Sequence, residues 1–215
     1  MTLDEASVPV TTNRSNVMTL AAFGTLSGAT AWALIHLIDV VGSWFGWSEF
    51  ELVDLFLDAL QLFPGLVFGL VIGALLHRRG KVEGLRQVGY VAASGLAYFC
   101  AVLVASHVKN TLFSPSILRL HVVDLAISGI PGGLVGCLLL GLMTMLLLRA
   151  PGRLVLRWPV LVGGAAGALL GLLALEHDDW DLGLLAFFVL WQGAYAASLA
   201  PLLRPAAISQ QGLSH

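Results

Sequence analysis

The sequence predicts an all-α polytopic membrane protein: six transmembrane helices in a compact bundle, for which three parallel two-helix hairpins are one arrangement and a bundle without internal repeats the other. Three observations predict it. The chain is 58% hydrophobic and only 11% charged over 215 residues, with a mean hydropathy of +0.88, which is more apolar surface than a water-soluble domain of this size can hide. Apolar runs long enough to cross a bilayer alternate with short polar turns. Apart from the connection that holds Lys109 and Arg119, the basic turns fall on one side of the runs and the acidic turns on the other.

Residues 1–16 read as a polar cytoplasmic tail and residues 17–204 as the membrane domain. The first span covers about Val17 to Val41, with Gly24 and Gly28 on one close-packing face. Between residues 42 and 63, Glu51, Asp54, Asp58 and Gln61 recur three or four apart. They make a polar stripe on an otherwise apolar helix, which either lies on the outer surface or extends the second span. Pro64 lacks an N–H, so it should kink or restart that helix. Gly65, Gly69 and Gly73 then form a second ladder, which ends at His77-Arg78-Arg79.

The third span, about Leu85 to His107, has Gly89, Ala93, Ala97 and Ala101 on one face. The fourth runs from about Val122 to Leu148, and Pro131-Gly132-Gly133 should interrupt it early. Arg149, Arg153 and Arg157 belong to the next basic turn. In the fifth span Gly163, Gly167 and Gly171 again recur every fourth residue, before the acidic stretch Glu176 to Asp181. The sixth covers about Leu182 to Leu203, and residues 205–215 form a second polar tail.

Orientation follows from the charges. With both termini cytoplasmic, every Lys and Arg except Lys109 and Arg119 lies inside, and every Asp and Glu except Asp4, Glu5 and Glu83 lies outside. A bacterial-type inner membrane with an acidic outer face satisfies the positive-inside rule. The scattered cations form no patch for nucleic acid.

His36, His107 and His177 end the outward-running spans at intervals of about 70 residues, and Arg14, Arg86 and Arg157 begin them at similar intervals. Val53-Asp54-Leu55, Val123-Asp124-Leu125 and Trp180-Asp181-Leu182 open the inward-running spans. This spacing is what three copies of one hairpin around a membrane-normal axis would give. Short loops and the positive-inside rule produce a similar period in any six-helix protein.

Two constellations could carry chemistry. An acidic outer vestibule would concentrate cations above a pathway, with Asp58 and Asp124 the residues best placed to reach into the membrane and Asp54 and Asp39 beside them. Alternatively, the three imidazoles of His36, His107 and His177 would converge on a metal ion, the one cofactor the pattern offers, although no HxxxH or CxxC spacing pairs ligands on one turn. Nucleotide-binding and HExxH motifs do not occur. Cys100 and Cys137 lie within apolar runs and read as packing residues.

The expected function is therefore to bind or pass a small solute or cation. The alternative is a non-catalytic subunit or assembly factor of a larger complex. The partners expected are the lipid bilayer and either a second copy of the chain or another membrane subunit.

Overall fold

The computed structural model describes residues 10–44, 62–112, 121–149, 152–173 and 180–203. All regular structure among them is helical. The helices are α1 (Val10–Trp44), α2 (Phe63–Arg78), α3 (Gly84–Leu112), α4 (His121–Leu148), α5 (Gly152–Leu173) and α6 (Trp180–Ser198), followed by a 3-10 turn at Ala200–Leu203. Three stretches, Arg14–Trp44, Gly84–Val108 and Gly129–Leu148, are long and apolar enough to cross a membrane. The apolar segments Phe63–Arg78, Trp158–Leu169 and Leu185–Ser198 are shorter.

Each helix packs on its neighbour in sequence, and α1 packs on α6, so the six close into a ring. The interior is filled by bulky side chains, with Phe68, Tyr90, Phe188 and Tyr195 all 1% exposed or less. The outside is apolar too: Met18, Leu85, Trp158 and Leu161 are each more than 60% exposed. An apolar exterior on this scale is the inverse of a water-soluble surface. In lipid it also means that apolar burial alone gives little driving force, and helix association rests on close packing and interhelical hydrogen bonds.

The glycine ladders supply the close packing. A Cβ built on Gly28 would lie 2.5 Å from the Phe188 carbonyl oxygen of α6, and one on Gly24 would meet the Gln192 carbonyl of the same helix. On α2, Gly65 abuts the Ser94 carbonyl of α3, and a Cβ on Gly69 would be 2.7 Å from Val91 Cα. Gly129 and Gly133 of α4 meet Gly167 and Gly163 of α5, backbone to backbone. These contacts join α1 to α6, α2 to α3 and α4 to α5, which are the pairs between the hairpins expected from the sequence. Gly132 and Gly136 of α4 add contacts of this kind within a hairpin, where a Cβ would lie 2.6 Å from the Ala101 carbonyl and 2.8 Å from Ala101 Cβ of α3 respectively.

The turn from α2 to α3 ends in a Schellman motif. Gly80 has a φ of 65°, its N–H donates to the His77 carbonyl at 2.9 Å, and the Lys81 N–H donates to the Leu76 carbonyl at 2.9 Å. Val82 turns back into the core at 2% exposure, and its carbonyl lies 2.8 Å from His77 Nδ1.

Three features depart from the sequence reading. Helix α4 runs unbroken through Pro131. A proline deletes one backbone bond of the ladder, and here Gly132 and Gly133 hold the segment against α3 and α5 on either side. Arg153 and Arg157 lie within α5 rather than in the turn before it, and Pro159 also falls inside that helix. Helix α3 continues past His107 to Leu112, so His107 is not its terminal residue. Pro64 does open a helix, standing in the first turn of α2, where its missing N–H costs nothing.

Candidate functional site

The side chains singled out in the sequence are not brought together by the described part of the bundle. Asp54, Asp58 and His177 lie outside the described residues. Asp39 and Asp124 fall within α1 and α4, but their side chains are also outside that description. His36 is partly buried on α1, where its ring meets Trp32 edge to face at 4.4 Å between centroids. His107 is exposed on α3. Among the described residues no three His, Cys, Asp or Glu side chains gather as a metal site would require.

The structure instead assembles neutral polar groups inside the ring. The first set ties α1, α2 and α6 together. Gln192 of α6 is fully buried, as is Ser27 of α1. The Ser27 hydroxyl reaches both Gln192 Oε1 and the Gly24 carbonyl, the latter at 2.8 Å. Gln192 Nε2 donates to the Pro64 carbonyl at 3.1 Å. Rotating the amide would put its oxygen against the Pro64 oxygen, so the geometry fixes its orientation.

The second set joins α4 and α6 by a hydrogen bond and reaches α3 through ring contacts. Trp191 Nε1 donates to Cys137 Sγ at 3.4 Å, and Thr144 Oγ1 donates to the Leu140 carbonyl at 2.7 Å. Around these lies an aromatic cluster in which Phe68 meets Tyr195 edge to face at 5.6 Å, Tyr98 lies 5.6 Å from Trp191, and Phe187 stacks on Trp191 at 6.0 Å. The hydroxyl of Tyr90 and that of Tyr195 are both buried here.

Ser27, Tyr90, Thr144, Gln192 and Tyr195 carry no charge and fall outside the histidine spacing, so neither pattern points to them. A signal was present: Gln192 and Thr144 are polar residues in the middle of long apolar runs, a position where a side chain in lipid needs a partner on another helix.

The described part of the chain is thus all-helical, with three apolar stretches long enough to cross a membrane and a set of neutral, hydrogen-bonded groups in its interior. Comparison with family models, with characterised proteins and with solved structures finds no match.

Proposed function

We propose that the chain is a six-span membrane bundle with a non-catalytic role, as a subunit or assembly partner of a larger membrane complex. One observation carries this reading: the described interior is filled. Trp191, Tyr195, Phe68 and Tyr90 occupy it at 5% exposure or less, and the buried amide is spent on joining helices. The charge asymmetry supports a bacterial-type inner membrane as the setting, with both termini cytoplasmic and the acidic face outward.

The test is extraction in mild detergent followed by native sizing and mass analysis. A discrete assembly larger than the 22.8 kDa chain, with one partner at fixed stoichiometry, is expected. A lone chain that carries cations or small solutes across liposomes would overturn the proposal.

Passage of a small solute or cation is the second reading, favoured by one feature. Pro131 has no N–H, so the Ile127 carbonyl lacks its helical donor one turn beyond Asp124, and freed carbonyls near a carboxylate are what a cation path uses. Asp58, Asp124, Asp54 and Asp39 would then form its outer mouth. Ion flux in liposomes that is lost in Asp124→Asn would establish this reading in place of the first.

A further inference from the structure

The turn between α2 and α3 carries its charges on a fixed frame. Arg78, Arg79, Lys81 and Arg86 stand there with one carboxylate, Glu83, and all five residues are exposed. The backbone beneath them is tied down. The Gly80 and Lys81 N–H groups close the end of α2, Val82 is buried at 2% exposure, and its carbonyl lies 2.8 Å from His77 Nδ1. The Arg86 N–H donates to the Glu83 carbonyl at 2.9 Å as α3 begins. A turn bonded in this way leaves little backbone for a ligand to order on binding.

The surroundings add to this charge and continue it into apolar surface. Leu147 of α4 lies 3.4 Å from where a Cβ on Gly89 of α3 would stand, which brings Arg149, exposed just past α4, to the same end of the bundle. The first turn of α3 holds no acidic residue, and its helix dipole is positive at this end. Beyond their chain neighbours, no described atom lies within 4 Å of the Cβ positions at Gly80 and Gly84, so the backbone among the cations is open. From there Leu85, Val88, Ala92 and Leu96 run down one side of α3, three or four residues apart. Leu85 is 87% exposed, Val88 63% and Leu96 59%, and Ala92 is exposed between them.

We infer that this turn and the outer side of α3 form a binding site for an anionic phospholipid, with the headgroup phosphate at Arg78, Arg79, Lys81 and Arg86 and an acyl chain along Leu85, Val88 and Leu96. Cations at a helix end followed by an exposed apolar stripe match a molecule that is charged at one end and apolar along its length. An acidic protein segment would satisfy the cations and leave the stripe unmatched. Basic residues just beyond a membrane helix strengthen attraction to anionic headgroups by about fivefold each. The inference rests on the membrane reading above, and on the proposed orientation the site lies in the inner leaflet. It holds equally for a subunit and for a transporter.

The test is native mass spectrometry of the purified full chain in neutral detergent, with phosphatidylglycerol and phosphatidylcholine as probes. The parent is expected to retain phosphatidylglycerol and to release phosphatidylcholine. Arg78→Gln combined with Arg79→Gln should weaken retention by roughly 25-fold and keep the parent's Tm in lipid-free detergent, since both side chains are exposed. Leu85→Asn, which leaves every cation in place, should weaken it as well. Equal retention of the two lipids, unchanged retention in either variant, displacement of the lipid by an equal concentration of inorganic phosphate, or an acidic protein held at the turn in place of lipid would overturn the site. Sidedness is read separately: a turn labelled from outside the cell would defeat the proposed orientation and leave retention in detergent unchanged.

Discussion

Gly133 of α4 and Gly163 of α5 meet with no side chain between them: a methyl group on either would run into the carbonyl oxygen of the other. A Cβ on Gly163 would also strike Cys137 Sγ. Gly163→Val should therefore push α4 and α5 apart and cost on the order of 1–3 kcal/mol. Gly89→Ala is the control, since its Cβ would lie 3.4 Å from the flexible end of Leu147. Unfolding of both variants in detergent checks the contrast, and equal losses would contradict the packing.

Ser27 and Gln192 are expected to be coupled. Ser27→Ala leaves the buried Gln192 oxygen without a donor, whereas Gln192→Leu leaves Ser27 its bond to the Gly24 carbonyl. Interhelical hydrogen bonds in membranes are worth about 0.6 kcal/mol on average and up to about 1.7. Ser27→Ala should accordingly cost more in the parent than in a Gln192→Leu background. A double-mutant cycle measures the difference, and strict additivity would show that the two side chains do not interact.

The two thiols should differ in reactivity. Cys137 is fully buried beneath the Trp191 indole, while Cys100 is partly exposed. Treatment of the folded protein with N-ethylmaleimide, followed by peptide mass mapping, should find Cys100 modified first and Cys137 modified only after unfolding. Modification of Cys137 at the same rate would mean that the core opens readily.

The proposed orientation is open to direct labelling. With Cys100 and Cys137 replaced, an Arg79→Cys variant should be shielded from an impermeant maleimide added outside whole cells, and a Trp44→Cys variant should react. Both positions are exposed in the bundle, so burial would not explain a failure to label. Reaction of both from the same side would rule out the six-span topology.

Much of the packing was legible as a glycine every fourth residue, because that spacing places small residues on one helix face whatever surrounds them. Gly24 and Gly28, Gly65 and Gly69, and Gly163 and Gly167 all meet a neighbouring helix closely. Which helix receives each ladder was not legible, since spacing within one segment carries no information about its partner. Gly129 and Gly133 show why: they have the same spacing, but Pro131 between them suggested a break, whereas α4 runs through it with α3 and α5 packed on either side. Ser27, Thr144, Tyr90, Tyr195 and Gln192 are scattered along four helices. Their convergence is a property of the closed ring, and no local pattern announces it.

That closure sets an order on biosynthesis. The surface of α1 that carries Gly24, Ser27 and Gly28 is completed by Gln192 and Phe188, residues the ribosome adds near the end of translation. Until α6 is made, the first helix stands beside an open seam, with a polar hydroxyl and bare backbone left uncovered.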